Sequence, residues 1–242
     1  MSVEEISEIK QEIRKRIWRL MEEKGIAIFP RPVYGRIPNF KGHELAARRF
    51  IESELFRKAE VIFCCPDSPQ RPIREAVIRA GKVLVMATPR LRKGFLVIKR
   101  KYVPLGRERE ASTIRGAFIY GKLFMIPPYH IDVKVTGSVA VTTEGARLGK
   151  GGGYSDLEYA ILRELNLVDE KTPIVTTVHD IQIVEYIPVT RHDVPVDYVF
   201  TPTKRIKTEG KYSKPEGIYW DEVKDEQIKN IPILKKLYEE RR

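Results

Sequence analysis

The residues best suited to chemistry lie in one stretch, Arg147-Leu-Gly-Lys-Gly-Gly-Gly-Tyr-Ser-Asp156. Glycines at a strand-to-helix junction let backbone N–H groups converge on an anion, because a residue without Cβ permits close approach and positive φ. Gly149, Gly151, Gly152 and Gly153 form the cluster, Lys150 adds a mobile cation and Asp156 a carboxylate of the kind that suits Mg²⁺. The chemistry this favours is the cradling of a nucleotide's phosphates, and the competing reading is a tight glycine-rich turn. A Walker loop is excluded, since Gly145 precedes Gly149-Lys150 by three residues rather than four and Gly151 stands where Ser or Thr belongs. The dinucleotide fingerprint fails as well, with Tyr154 in place of its third glycine.

Several elements must hold this stretch in place. The β-like runs 131–136 and 138–143 precede it and the helical pattern 157–167 follows it. At the start of the chain, Ile6, Ile9, Ile13, Ile17 and Leu20 recur at helical spacing, which puts Lys10 and Arg14 together on the flank of the apolar stripe. Two cations there can reach over the edge of the protein towards an anion, or simply snorkel around a buried stripe. Residues 28–42, with three prolines among aromatic and basic residues, read as an ordered loop laid over the body.

The rest of the chain alternates. Residues 43–56 read as a helix, 61–65 as a strand, 72–80 as a helix and 82–86 as a strand; 94–98 reads as an edge strand, 173–178 and 196–201 as strands, and 231–240 as a final helix. This is the pattern of an α/β fold with a mixed, mostly parallel sheet. Pro66-Asp-Ser-Pro69 and His179-Asp180 follow strand ends, where such folds present ligand loops.

Over 242 residues, Lys and Arg exceed Asp and Glu by 11, which favours polyanionic partners such as nucleotides or RNA. The clusters Arg90-Leu-Arg-Lys93 and Lys99-Arg-Lys101 are the places where RNA contact is expected, although solvated lysines that protect a sheet edge explain them equally well. Adjacent Cys64 and Cys65 lie in an apolar run and read as buried packing residues. No signal peptide and no apolar run of the roughly 18 residues needed to span a bilayer is found, so a cytoplasmic protein without a membrane partner is expected. Monomer and homodimer both stay open.

The motif Gly-x-Arg-Leu-Gly-Lys-Gly-Gly-Gly-Tyr-x-Asp, from Gly145 to Asp156, resembles the signature of the 5-formyltetrahydrofolate cyclo-ligase (methenyltetrahydrofolate synthetase) family. Lys10-x-x-x-Arg14 and His192-Asp-Val-Pro-Val-Asp197 are similar to two further motifs of that family, in the same order. Phe29-Pro-Arg-Pro, Arg36-Ile-Pro-Asn-Phe-Lys-Gly42, Thr88-Pro-Arg-Leu-Arg92 and Asp156-Leu-Glu-Tyr-Ala160 look closer to its methenyltetrahydrofolate synthetase domain-containing branch, whose RNA-recognition module is not seen here.

The resemblance implies a three-layer α/β/α, CoA-transferase-like fold over residues 1–242, with 210–242 as a C-terminal extension packed on it. It implies an ATP- and Mg²⁺-dependent ligase, in which the formyl oxygen of 5-formyltetrahydrofolate is phosphorylated, N10 attacks the activated carbon and phosphate leaves. On that basis Lys10, Arg14, Arg147, Gly149, Lys150, Gly151, Gly152, Gly153 and Tyr154 would hold ATP, Arg147 and Lys150 would serve catalysis, and Asp156 and Asp193 would hold Mg²⁺. The substrate would be acidic and folate-like. Where the family reads Tyr-Tyr-Asp-Arg, this chain has Tyr154-Ser-Asp-Leu157, and the family's acidic residue for folate has no clear match around Gln70–Arg74. The alternatives are a nucleotide- or RNA-binding paralogue without ligase activity, and an ATP-dependent ligase for another cofactor-salvage substrate.

Overall fold

The computed structural model describes residues 1–241. Helix α1, Val3–Glu23, starts with a capping box between Ser2 and Glu5 and buries Ile13, Ile17, Trp18 and Met21. Residues 28–42 fold over this helix as an ordered loop, with Val33 and Phe40 fully buried and Trp18 Nε1 donating to the Arg36 carbonyl at 2.9 Å.

The expected helix over 43–56 is two helices, α2 His43–Ile51 and α3 Glu54–Lys58. Ser53 makes the break: its hydroxyl donates to Phe50 O at 2.6 Å and accepts from the Phe56 N–H, ending one helix and capping the next. There follow β1 Val61–Cys64, α4 Arg71–Arg79, β2 Val83–Ala87 and β3 Phe95–Ile98. Two short helices, α5 Glu108–Ala111 and α6 Ile114–Tyr120, lead to β4 Lys122–Phe124, and then to β5 Val133–Thr136.

Among the described residues, the main sheet has eight strands in the order β10-β9-β8-β5-β1-β2-β3-β4. Its later members are β8 Ile174–Thr177, β9 Tyr198–Phe200 and β10 Arg205–Lys207. The five central strands β9, β8, β5, β1 and β2 run parallel, while β3, β4 and β10 are antiparallel additions. The segment expected to be an edge strand, 94–98, is therefore interior: β4 covers β3, and all four β3 residues are buried. The second β-like run before the glycines also differs from expectation. Only Ala140–Val141 (β6) pairs, and it pairs with Arg147–Leu148 (β7) in a separate small hairpin.

Alternation assigns each face of the sheet. Ile62, Cys64, Leu84, Met86, Val133 and Val135 pack with α2 and α4. Phe63, Val85, Phe95 and Ile174 point the other way, onto helix α7, Tyr154–Glu164. Helices thus cover both faces in three layers. The chain ends with α8 Asp225–Asn230 and α9 Pro232–Glu240, and Ile233 and Leu234 of α9 belong to the same apolar cluster as α7. No helix of the described residues is long and apolar enough to cross a membrane.

Candidate active site

Hairpin strand β7 delivers the glycine stretch to α7. The helix begins at Tyr154, three residues earlier than its apolar pattern suggests, because Gly153 precedes it with a φ of +67°. Tyr154 and Asp156 consequently stand in the first helical turn rather than in a loop, with Asp156 favourably placed against the positive end of the helix dipole. Gly151 has a φ of +102°, and a Cβ there would meet the Arg14 guanidinium carbon at 3.6 Å. That is ordinary contact distance, so it is the positive φ that favours glycine there.

The cations and carboxylates predicted from sequence do converge, and they do so as ion pairs. The Lys10 ammonium lies 2.5 Å from Asp193 Oδ2, which also accepts from the Thr190 N–H and hydroxyl at 2.7 and 2.8 Å. Arg147, only 4% exposed, pairs with Asp156 Oδ1, an oxygen that also accepts from the Val194 N–H at 3.0 Å. Lys150 Nζ lies 3.0 Å from Asp67 Oδ1. Arg14 reaches the loop backbone instead, its Nε donating to the Gly149 carbonyl at 2.8 Å.

Burial works against the Arg147 charge, and the Asp156 carboxylate more than offsets it, so the guanidinium pKa is raised. The same competition between burial and Asp67 raises that of Lys150. Burial opposes ionisation of Asp193, but the Lys10 ammonium and the Thr190 hydrogen bonds hold its carboxyl below the usual range. Burial lowers the pKa of Arg14.

A cleft of about 610 Å³ opens beside the loop. Arg147, Gly149, Lys150, Gly152, Gly153, Tyr154 and Asp156 line it. Lys10, Arg14, Gly151 and Asp193 are not among its lining residues; Gly151 instead lines a smaller cavity of about 240 Å³ on the far side of the glycines, together with Gly152, Gly153 and Asp156. Residues 215–227 of the C-terminal region supply that second cavity's other wall.

The arrangement fits a magnesium–polyphosphate better than either ion alone. Phosphate oxygens compete for cations now matched by carboxylates, and each carboxylate so displaced becomes available to a divalent cation. Asp156 Oδ2 accepts no hydrogen bond from the described residues, and the His192 ring nitrogen Nε2 lies 4.0 Å from Asp193 Oδ1. No group of three or more metal-ligating side chains occurs among the described residues.

A family model described as the 5-formyltetrahydrofolate cyclo-ligase family matches residues 6–202. The chain belongs to this family. It is 41% identical over 238 residues to the methenyltetrahydrofolate synthase domain-containing protein of Danio rerio, covering 95% of this chain and 62% of that one. It is 41% identical over 236 residues to the protein of the same description in Homo sapiens, covering 94% and 61%. The chain thus spans about three fifths of the length of these curated relatives. Among solved structures, the Aquifex aeolicus 5,10-methenyltetrahydrofolate synthetase shares the fold, with a TM-score of 0.51 at 20% identity, covering 85% of this chain and 95% of that one.

Two departures from the cyclo-ligase signature have structural roles here. The Ser155 and Thr136 hydroxyls lie 2.7 Å apart, tying α7 to the end of β5, and Leu157 packs into the core below the loop. The basic clusters at 90–101 are dispersed. Arg90 lines the cleft, Arg100 pairs with Glu108 at 2.8 Å, and Lys93, Lys99 and Lys101 lie over the rings of Phe118, Tyr129 and Tyr102. His179 and Asp180, flagged at a strand end, serve local structure: His179 caps a short 3-10 turn, and Asp180 accepts from Thr201 at 2.8 Å.

Two cleft-lining residues, Asp67 and Glu158, and the buried Lys134 escaped the sequence reading. Asp67 lay inside the flagged Pro66-Asp-Ser-Pro69 loop without being singled out. Lys134 interrupts the apolar run of β5, a charge in the middle of a buried strand, and Glu158 stands inside the buried face of α7. Both charges were visible as breaks in an apolar pattern.

Proposed function

We propose that the chain is an ATP- and Mg²⁺-dependent cyclo-ligase that converts 5-formyltetrahydrofolate, or a related folate or pterin, to the 5,10-methenyl form with release of ADP and phosphate. The observation that supports this reading is that Arg147, Lys150 and Asp156 line one cleft in two ion pairs, Arg147–Asp156 and Lys150–Asp67, with the Lys10–Asp193 pair outside its lining. When bound, MgATP supplies the phosphoryl group that makes the formyl oxygen a leaving group. The chain's residues do the rest by position and charge. Lys150 and Arg147 neutralise phosphate oxygens at the cleft, and Lys10 and Arg14 do so behind the loop. The glycine amides are fixed donors that need no reorganisation during transfer. Asp156 and Asp193 hold the metal, and Tyr154 lines the boundary between nucleotide and substrate. The arrangement also suits Arg147 to orient Asp156, since that carboxylate's Oδ1 is already committed to it.

The test is direct. Purified protein with MgATP and 5-formyltetrahydrofolate should produce the methenyl chromophore and one ADP per turnover. Neither product accumulating above the protein-free rate would refute the reading.

A further inference from the structure

The cations and glycines account for one end of the cleft, but Glu158 is unexplained by them. It lines the cleft from α7 and is only 8% exposed. Its Oε2 is buried and accepts no hydrogen bond from any described residue. A buried carboxylate oxygen without a donor carries its full desolvation penalty, so such an atom calls for a partner that arrives with a ligand. The charged groups facing it are Lys134 of β5, Asp67 of the loop after β1, Asp156 two residues earlier on α7 and Lys150 of the glycine loop. Lys134, 1% exposed, lies over the Phe63 ring at 4.8 Å and supplies the compensating cation. Ile37, Pro66, Pro89 and Ile114 give the cleft apolar walls that suit a flat ring.

An ionised carboxyl group offers two acceptor oxygens side by side and no donor. We propose that Glu158, backed by Lys134, is the specificity residue of the cleft and accepts the two adjacent N–H donors of a 2-amino-4-oxopyrimidine edge. This rests on the folate-like reading above, because a pterin ring carries that edge; guanine carries it too, and the test separates the two. A 2,4-dioxo ring replaces one donor by an oxygen that faces the carboxylate, whereas glutamine at 158 offers one acceptor and one donor and matches that edge instead.

The experiment titrates the full chain, in the presence of MgATP, with pterin, lumazine (its 2,4-dioxo counterpart) and guanosine. The wild type should prefer pterin to lumazine by about 10- to 100-fold. Glu158→Gln should bring that preference to within about threefold or reverse it; Glu158→Asp should keep the preference at reduced affinity. MgATP binding by each variant reports that it is folded. A Glu158→Gln variant that still binds MgATP and keeps the full preference overturns the inference and leaves the folate reading standing. Guanosine bound selectively while pterin is ignored, with that selectivity lost in Glu158→Gln, supports the edge assignment and overturns the folate reading. If the wild type binds MgATP but none of the three rings, both fall.

Discussion

Lys150 Nζ lies 3.0 Å from Asp67 Oδ1, and this pair ties the glycine loop to the loop after β1 across the cleft. Lys150 is about half exposed, so the pair contributes little to folding, within roughly 1 kcal/mol. Its use is to hold a cation where a phosphate will displace the carboxylate. Lys150→Ala should leave the thermal midpoint nearly unchanged and lower kcat by about 10²–10³-fold, as for other donors aimed at developing charge. Asp67→Asn should tighten nucleotide binding by no more than about fivefold, because it removes the competitor for Lys150. Steady-state kinetics and nucleotide titration read both.

The Lys10–Asp193 pair is largely buried, with side chains 11% and 13% exposed. Lys10→Met strands the Asp193 charge and should cost about 3–5 kcal/mol in urea unfolding. The double variant with Asp193→Leu should recover much of that loss, and a double-mutant cycle gives the coupling.

Gly153, at a φ of +67°, has open space where a Cβ would sit, so only backbone strain opposes substitution. Gly153→Ala should destabilise by about 1–2 kcal/mol. Gly153→Asn should cost less, since asparagine tolerates this conformation. Equal losses, read by thermal unfolding, would mean that strain is not the cause.

Glu158 gives stability a pH dependence whose sign is fixed. Its folded pKa, about 7, lies above the ordinary carboxyl value of 4.5, so between those values the folded state binds more protons than the unfolded one. Stability from this group therefore falls as pH rises from about 4.5 to 7, with a slope of at most about 1.4 kcal/mol per pH unit. Glu158→Gln should flatten that window in denaturant titrations at fixed pH. Asp193, with a depressed pKa, acts oppositely: its contribution is present above the unfolded value of 3.8 and is lost below it as acid is added.

Burial pushes the Cys64 thiol up to about 11 and Cys65 well above its usual value. Neither should react with a thiol reagent at pH 8 until the protein unfolds, and both should then react together.

Much of the site was legible before the fold was known. Arg147, Lys150 and Asp156 stand within ten residues of one another, and the four-residue spacing of Lys10 and Arg14 put both on one side of α1. Their mutual pairing was not legible, because Lys10–Asp193 and Lys150–Asp67 join residues 183 and 83 positions apart. Apolar runs marked the strands, yet β4 was missed: its Lys-Leu-Phe stretch, at the exposed rim of the sheet, carries little apolar pattern. That omission made β3 look like an edge. Helix α7 was placed too late because its first turn is built of Tyr154, Ser155 and Asp156, and the start is set by a glycine conformation rather than by apolar spacing.

Residues 203–241 lie beyond the family match yet are built into its machinery. Arg191 and His192, next to Asp193, are gripped by Asp221 and Glu222, Lys214 bonds Asp197 at 2.9 Å, and Ile231, Ile233 and Leu234 share the core with α7. The end of the family match is therefore not a boundary of folding. A chain trimmed to 6–202 would expose an apolar scar on α7 and release the loop that presents Asp193, so the span of the family match does not mark a segment that keeps the site intact.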